Sequence, residues 1–464
     1  MSISAAFFAQ AQDVSVLRNT VDVYSNSPMV GSAKFNGMAG SNGALGGDAS
    51  SLLTNPAGLG VAISGEASAT LSITGNKNSS SMAGATLDYS KTRGDLGNAG
   101  GIISFPLMTG TAWKFINIGV NYSNQSLDNV IQSPGNSNVI YDMDSKDPST
   151  GASLAAHAYS RYGNLSKMSF GVGANYNHSF YIGAGLNFFN ATVDQSDRLA
   201  YQNLQTQRIE AFDKQDTPYY ERSSGFSASL GVIGKLSRNF RVGATLETPT
   251  FWSIDRDYTY YYNQPNPGKD MGYESRKFTS PLKATVSAAF VANKNFSLNV
   301  DYTLGLTKPD YKVYGPAERE INDFFKANYK NLSELRLGAE YRIQQLRLRG
   351  GYSYVSSPFD ALTIDRFNSA GTVGEESYSN LILNNRNLVS FGIGYDFKAF
   401  YIDASYQNIT SKYSNPFMRG IQTSNIDTAY YSNSSTNVVA SDAYAVSDVK
   451  NSRNNFFLTF GWKF

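Results

Sequence analysis

Apolar and polar residues alternate along the end of the chain, in the stretch NNFFLTFGWKF. Every second position from residue 456 to residue 464 is apolar, whereas the positions between them are mixed. Successive side chains of a β-strand point to opposite faces, so the pattern predicts a strand with one continuous apolar face. The residues of that face are Phe456, Leu458, Phe460, Trp462 and Phe464.

The same alternation recurs upstream, in pairs of segments that are joined by very short turns. Compact soluble domains rarely contain many loops longer than about 15 residues. Transmembrane barrels, in contrast, combine short turns at one end with long loops at the other. The predicted turns fall at His178, 237–238, 293–294, 344–345 and Lys398, and the long polar connections cover roughly 125–167, 193–224, 251–280, 307–331, 356–387 and 410–455.

The alternating segments number about fourteen, and bacterial barrels have an even number of strands. The first strand has two candidates, 66–77 and 82–90; if the former belongs to the barrel, the latter lies in the first outer loop. The other predicted strands are 98–106, 114–124, 168–176, 179–192, 225–236, 239–250, 281–292, 295–306, 332–343, 345–355, 388–397, 399–409 and 456–464.

These patterns predict an all-β fold, a transmembrane antiparallel up-and-down β-barrel of about 14 strands whose apolar faces meet lipid. Pairing of the last strand with the first would satisfy every backbone group, which the hydrocarbon of a membrane requires. The alternative is a soluble β-sandwich, in which each sheet buries one face and the loops are shorter.

The composition narrows the functional classes. The 464 residues include no Cys, which excludes disulfides, thiolate metal sites and Cys nucleophiles. The formal net charge is +2 and no long basic run occurs, so nucleic acid is not an expected partner. The mean hydropathy is −0.32, and no run of about 18 apolar residues predicts a transmembrane helix.

The first residues, MSISAAFFAQAQ, contain a short apolar stretch and a sequence at 9–11 that resembles a signal-peptidase site. We interpret residues 1–11 as a signal-peptide remnant and expect the mature chain to start near Gln12. An ordinary N-terminus is the alternative.

The following segment, 31–60, is too rich in Gly for a regular strand and does not alternate. Its sequence predicts a short helix that Asp48 caps and that ends where Pro56 restricts Asn55. No phosphate-loop or dinucleotide-binding spacing is present. We therefore predict a plug at 12–62, inserted into the lumen of a barrel at 63–464. Gly46 and Gly47 belong to the same glycine-rich stretch.

The stretch GALGGDASSLLTNPAGLG resembles the plug of the FadL family of outer-membrane long-chain fatty-acid transporters, which carries an Asn-Pro-Ala signature. Here the signature falls on Asn55, Pro56 and Ala57. Three strand pairs and the terminal Phe also look family-like, so the resemblance extends from about residue 30 to the end.

The resemblance implies passive uptake of long-chain fatty acids or similar hydrophobic molecules across the outer membrane of a Gram-negative bacterium. Outer loops would capture the molecule, the lumen would bind it, and it would leave sideways past the plug into membrane lipid. Some barrels of this type instead serve protein export or surface attachment through a protein partner, which is the alternative function.

Four charged residues on the polar faces of two neighbouring predicted strands are candidates for lumen chemistry. A two-residue turn at 344–345 would place Glu340 opposite Arg349 and Arg342 opposite Arg347. Opposed arginines require a nearby anion. Either Glu340 and plug groups such as Asp48 neutralise the arginines, which we favour, or an arginine binds a fatty-acid carboxylate.

The apolar capture surface has candidates among loop aromatics, namely Phe251, Trp252, Phe324 and Phe325, together with Phe359. The stretch EREINDFFKANYK predicts a short amphipathic helix with Ile321 and two of these residues on one side. Exposed apolar patches often mark binding surfaces, although these side chains could equally pack the loops together.

No enzymatic activity, cofactor or metal is expected. The two histidines, His157 and His178, are isolated in sequence, and His178 falls in a predicted turn. The loop carboxylates Asp142, Asp144 and Asp147 lack the spacing of a calcium loop. Nothing resembles a catalytic nucleophile with its base, which disfavours an esterase barrel, and the plug disfavours a general porin.

Overall fold

The computed structural model describes residues 14–26, 29–107, 110–142, 151–262, 268–422, 427–432 and 437–464. The predicted signal-peptide remnant, Gln12 and the carboxylates Asp144 and Asp147 lie outside the described residues. None of the described helices is long and apolar enough to cross a membrane. The helices are α1 (Val14–Asp22), α2 (Ala33–Gly37) and α3 (Pro316–Asn328), with 3-10 helices at Ala49–Leu53 and Pro56–Val61.

β-Strands make up most of the described chain. They are β1 (Glu66–Met82), β2 (Ala85–Pro106), β3 (Trp113–Ser126), β4 (Asn129–Asp142), β5 (Gly151–Tyr176), β6 (Phe180–Asn203), β7 (Ile209–Lys214), β8 (Tyr219–Lys235), β9 (Phe240–Glu247), β10 (Phe251–Tyr262), β11 (Gly268–Thr279), β12 (Lys283–Asn293), β13 (Phe296–Gly305), β14 (Asp310–Tyr311), β15 (Ser333–Ile343), β16 (Leu346–Val355), β17 (Leu362–Phe367), β18 (Val373–Tyr378), β19 (Arg386–Asp396), β20 (Phe400–Phe417), β21 (Tyr430–Ser432), β22 (Val438–Val439) and β23 (Ala445–Lys463).

Fourteen of these strands form one closed antiparallel barrel, which confirms the predicted fold class. The order around the wall is β1, β2, β3, β5, β6, β8, β9, β12, β13, β15, β16, β19, β20 and β23. The last strand then returns to the first, with Ala69 opposite Phe460 and Thr70 opposite Thr459. Of the two candidates for the first strand, 66–77 is therefore the one in the wall, and 82–90 lies around the tip of the β1–β2 hairpin.

The outer face of the barrel carries the apolar residues that the alternation predicted. In β23, the side chain of Trp462 is 56% exposed, whereas its neighbours on the other face, Phe457 and Thr459, are buried. The same pattern holds for β19, where Phe391 and Ile393 face outward. A soluble sandwich would bury such residues, so the outward apolar belt is the feature that separates the two predicted folds.

The short turns occur where the sequence predicted them, and the long connections contain more strand than expected. His178, Gln344 and Lys398 adopt positive φ angles of 53°, 55° and 76°, which close tight turns between paired strands. The predicted loop at 125–167 contains β4 and residues 151–167 of β5. These extensions carry polar residues on both faces, so no alternation marked them as strands.

The segment before β1 fills the barrel interior and contacts strands on different sides of the wall. Ala33 N donates to Thr459 Oγ1 at 2.7 Å. Asn117 Nδ2 donates to the carbonyl oxygen of Leu59 at 2.6 Å. Gln407 Nε2 donates to the carbonyl oxygen of Asn36 at 2.8 Å. Since these contacts reach β23, β3 and β20, the segment is a plug within the lumen.

Candidate functional site

The Asn-Pro-Ala signature holds the plug together and against the wall. Asn55 is buried and extended, with φ −146° and ψ 107°, as expected of a residue before proline. Its Oδ1 accepts from Ala57 N at 3.0 Å and so caps the 3-10 helix that begins at Pro56. Its Nδ2 donates to the carbonyl oxygens of Gly43 at 2.7 Å and Val232 at 3.1 Å. One side chain thus links two plug segments to β8.

The glycines of the plug form a tight turn. Gly46 and Gly47 have φ angles of 64° and 95°, which side chains rarely tolerate. Gly47 N donates to the carbonyl oxygen of Gly58 at 2.9 Å. The turn brings the middle and the end of the glycine-rich segment together.

Asp48 behaves differently from the prediction. It precedes the 3-10 helix Ala49–Leu53, but its side chain makes no capping hydrogen bond. Its carboxylate forms a salt bridge with Lys34 at 2.8 Å, not with an arginine of the wall. The prediction that Asp48 neutralises the lumen arginines was therefore wrong, because the plug supplies its own cation.

Asp301 is an anchor of the plug that the sequence analysis missed. This buried carboxylate on β13 accepts from the backbone N–H groups of Asn42 at 2.9 Å and Gly43 at 3.1 Å. Charge-assisted bonds to backbone N–H groups are strong, so Asp301 fixes the plug loop to the wall. In the sequence, Asp301 stands out only as a carboxylate on the polar face of a predicted strand whose other face is apolar.

The charged cluster has the predicted register, with Glu340 opposite Arg349 and Arg342 opposite Arg347. Arg349 is buried and bonds Glu340 at 2.6 Å and Asp403 at 2.8 Å. Arg342 turns away, and its Nε donates to the carbonyl oxygen of Gln344 at 2.7 Å.

Arg347 extends the network by bridging Glu340 at 3.3 Å and Asp396 at 2.8 Å. Lys463, on the last strand, also contacts Asp396 at 2.7 Å. Carboxylates of the wall thus surround the two inward arginines, an arrangement that fits the structural role of the cluster better than a carboxylate site.

The proposed capture residues are mostly buried, which corrects their assignment as an exposed surface. Trp252, Phe324 and Phe325 belong to one apolar core beneath the outer loops, together with Phe359. The predicted helix is α3, and its apolar side enters this core. Only Phe251, which is 57% exposed, lies on the outer face. These aromatics pack the loops over the plug because α1 offers them an apolar partner surface.

Two adjoining cavities lie between the plug and the loop core. The first, the lower cavity, has about 1120 Å³ of empty space, counting the solvent to which it opens. The second, the middle cavity, has about 810 Å³ counted in the same way. Both are lined by Asn26, Val355, Arg386 and Ile409, so they adjoin each other.

The lower cavity combines apolar walls with an excess of cations. Lys167 pairs with Glu247 at 3.6 Å, and Arg336 pairs with Glu334 at 2.6 Å. Lys283 donates to the carbonyl oxygen of Ser25 at 2.7 Å and forms no salt bridge within the described part of the chain. The apolar walls are formed by Met29, Leu53, Leu165, Phe189, Trp252, Pro281, Leu332, Leu388 and Ile409.

Helix α1 stands above these cavities and is held by ion pairs. Asp22 contacts Arg161 at 2.6 Å and Arg386 at 3.4 Å. Burial alone would raise the pKa of Asp22, but the charges of Arg161 and Arg386 outweigh it and lower the pKa to about 2. Asp22 therefore stays ionised at neutral pH.

The histidines lie apart from these cavities. His178 is exposed in its turn, as predicted, whereas His157 is buried beside Asp197. Among the described residues, no group of three or more His, Asp and Glu side chains could hold a metal ion.

Comparison with known proteins supports the fold. No protein-family model matches the sequence, and no curated protein matches it. The structure is similar to a FadL homologue of Pseudomonas aeruginosa, with a TM-score of 0.56, 12% identity, and coverage of 95% of this chain and 99% of that one. It is also similar to the toluene transporter TodX of P. putida, with a TM-score of 0.55, 12% identity, and coverage of 96% and 99%.

A third similar structure is the monoaromatic hydrocarbon channel CymD, with a TM-score of 0.53, 13% identity, and coverage of 95% and 99%. At sequence identities this low, the similarity shows a shared fold and nothing beyond it. Because the matches extend over nearly the whole chain, they include the plug as well as the barrel. The chain thus has the FadL fold, which confirms at the level of architecture the resemblance carried by its Asn-Pro-Ala segment.

Proposed function

We propose that the protein is an outer-membrane channel for passive uptake of long-chain fatty acids or similar hydrophobic molecules. The apolar belt is evidence that the barrel spans a membrane. The plug in the lumen is evidence against an open pore. The similar structures of toluene and monoaromatic channels support a hydrophobic cargo. The fatty-acid assignment rests on the chemistry of the lower cavity.

The lower cavity is the observation that carries this proposal. A fatty acid has an apolar tail and one carboxylate, and the cavity offers apolar walls together with Lys283, a cation that forms no salt bridge with any described residue. Ligand pockets are typically mostly apolar, with a few polar groups that fix orientation. The carboxylate of the ligand would displace the carbonyl oxygen of Ser25 as the partner of Lys283. That exchange links binding to the plug.

Release is proposed to occur sideways, beside the bulge at Gly97. The pairing of β1 with β2 shifts between Thr70 and Leu71, so that Gly97 has no partner on β1. The plug touches the wall here, because Asn98 Nδ2 donates to the carbonyl oxygen of Val30 at 3.3 Å. Bulges interrupt a strand ladder and are common next to functional sites. Movement of the plug near Val30 would uncover this irregular seam.

The direct test is uptake of labelled oleate by cells that lack their own transporter and express this chain. We expect Lys283→Met to reduce uptake several-fold, because the carboxylate loses its cation. Lys312→Met is the matched control, since Lys312 lies exposed on the outer surface against the ring of Tyr314. Uptake by the wild type no faster than by cells without the protein would overturn the proposal.

A second measurement identifies the cargo. Native mass spectrometry of the purified protein should find a co-purified acyl chain whose occupancy falls in Lys283→Met. A stably bound protein instead of a lipid would favour the alternative role in protein export.

A further inference from the structure

The lower and middle cavities have more cations than carboxylates in their walls. Their linings contain three carboxylates, namely Asp22, Glu247 and Glu334. The same linings contain six cations, which are Arg161, Lys167, Lys283, Arg336, Arg386 and Arg453. Charges of one sign are costly inside a protein unless opposite charges compensate them. The excess of cations therefore calls for anions that the chain does not supply.

Each of the three carboxylates already contacts a cation of the lining. The pairs are Glu247 with Lys167, Glu334 with Arg336, and Asp22 with both Arg161 and Arg386. Two cations remain, Lys283 in the lower cavity and Arg453 in the middle cavity. Neither of them forms a salt bridge with any described residue. Each of the two adjoining cavities thus has one cation to offer to a ligand.

Both of these cations have hydrogen-bonding capacity to spare. Lys283 Nζ donates to the carbonyl oxygen of Ser25 at 2.7 Å, and an ammonium group has three donors. Arg453 Nη1 donates to the carbonyl oxygen of Ser126 at 3.3 Å, and a guanidinium group has five donors. Both side chains are only half-buried, so each keeps accessible surface on the cavity that it lines.

Apolar side chains lie where the two cavities meet. Val355 and Ile409 line both cavities, and Arg386, which also lines both, is already paired with Asp22. A single headgroup such as phosphate could reach only one of the two remaining cations, because they line different cavities. A molecule with two separated anionic groups and an apolar chain between them matches the whole surface.

We propose that the adjoining cavities bind an apolar chain with a carboxylate at each end, one held by Lys283 and the other by Arg453. The chain lies against Val355 and Ile409, and the guanidinium of Arg453 suits a carboxylate because it can donate two parallel hydrogen bonds. The inference rests on the proposed uptake function and names the cargo class as long-chain α,ω-dicarboxylates. A monocarboxylic fatty acid leaves one of the two cations without an anion.

The test is calorimetric titration of the full-length protein in a non-ionic detergent, with titration into detergent alone as the blank. The ligands are octanedioate, dodecanedioate and hexadecanedioate, each compared with its monomethyl ester, which has the same chain but one charge fewer. We expect the best dicarboxylate to bind with one molecule per protein and at least about tenfold more tightly than its ester, since hydrogen bonds to charged groups contribute that much. This comparison uses the wild type and needs no variant to fold.

Arg453→Met identifies the second cation. In this variant the dicarboxylate and its ester should bind with equal affinity, because only Lys283 remains to hold a carboxylate. The matched control is Arg222→Met, which should keep the difference, since Arg222 is exposed and pairs with Asp257 on the outer surface. A difference that persists in Arg453→Met would overturn the proposal.

Three further results would also overturn it. An ester that binds the wild type as tightly as its dicarboxylate would mean that the second carboxylate meets no cation. Two ester molecules per protein would indicate two separate monocarboxylate sites. Inorganic phosphate that displaces the dicarboxylate at equal concentration would indicate an adventitious ion only.

The outcome of this test is separable from that of the uptake experiment. Uptake of oleate without any preference for dicarboxylates would leave the channel function standing and remove the two-ended cargo. A preference for dicarboxylates in binding, without uptake of oleate by cells, would support the two-cation site and remove fatty-acid uptake.

Discussion

The carboxamide of Asn55 lies against the backbone of Gly231 on the barrel wall. A Cβ atom added to Gly231 would lie 1.9 Å from Asn55 Oδ1, which is far inside van der Waals contact. Only glycine lets the plug signature approach β8 this closely. The Asn-Pro-Ala signature can therefore dock against β8 only because residue 231 is a glycine.

Gly231→Ala should therefore push the plug away from β8 and raise the leak conductance in planar bilayers. Gly234→Ala, three residues along the same strand, is the control, since a Cβ there would meet nothing within 4 Å. Equal conductance in the two variants would show that the plug shifts without opening a path through the barrel.

Asp301→Asn tests the second anchor of the plug. The change keeps the shape but removes the negative charge that accepts from Asn42 and Gly43. We expect a loss of about 1–3 kcal/mol in plug docking. Protease digestion of detergent-solubilised protein should then cut the plug sooner. Asp323→Asn, on the exposed side of α3, should leave the digestion pattern unchanged.

Arg349→Met should destabilise the whole barrel. It leaves Glu340 and Asp403 facing each other without the guanidinium between them, which costs about 3–5 kcal/mol for a buried pair. The measurement is the temperature at which the folded band is lost on gel electrophoresis. Arg342→Met is the matched control, because Arg342 contacts only a turn carbonyl among its described partners. Equal losses in the two variants would contradict the assigned role of the cluster.

The anchoring of α1 should depend on pH in the acid range. The pKa of Asp22 is about 2 in the folded protein, below its ordinary value of 3.8. A lowered pKa means that the ionised form stabilises the fold, so this contribution is complete above about pH 4 and disappears as the pH falls towards 2. The shift corresponds to about 2 kcal/mol.

This dependence can be followed by labelling. The chain contains no Cys, so Val21→Cys gives a single reporter on the buried side of α1. An acid-compatible disulfide reagent such as dithiodipyridine should label it faster as the pH falls from 4 to 2. Adding Asp22→Asn should make labelling fast at every pH. A labelling rate that changes neither with pH nor with Asp22→Asn would exclude Asp22 as the anchor.

Phe324→Ala should loosen the outer loops by about 3–5 kcal/mol, the usual cost of removing a buried aromatic ring. Hydrogen exchange should rise in α3 and around Phe359, which packs against Phe324 at 5.5 Å between ring centroids. Phe251→Ala should leave exchange unchanged, because Phe251 faces outward. If Phe251→Ala alone slows oleate uptake, Phe251 remains a capture residue despite its separation from the core.

The wall of the barrel was predictable because a lipid-facing strand must alternate, and a two-residue turn at 344–345 then set Glu340 opposite Arg349. The contacts within the plug and beneath the outer loops were not predictable in this way. Lys34 and Asp48 meet only because the plug folds back on itself, and nothing in their spacing indicates it. Trp252 and Phe251 are adjacent on β10 and equally apolar, so they point to opposite faces, and only the apolar core beneath the outer loops decides that Trp252 is the buried one.

The strand extensions above the belt escaped prediction for a related reason. The outer face of these extensions meets water, and their inner face mixes apolar residues such as Leu154 and Tyr201 with polar ones, so the period of two disappears. Arg18 illustrates the same limit, since its aromatic partners Tyr159 and Tyr413 come from β5 and β20. These contacts exist only after both strands have been brought next to α1.

The pairing of β1 with β23 has a consequence for assembly. The seam joins β1, which follows the plug, to β23. The wall is therefore closed only when β23 is in place. The plug bonds to Thr459, Asn117 and Gln407 on three different strands, so its docking and the closure of the wall involve the same strands. We therefore expect the barrel to close around the plug rather than to admit it afterwards.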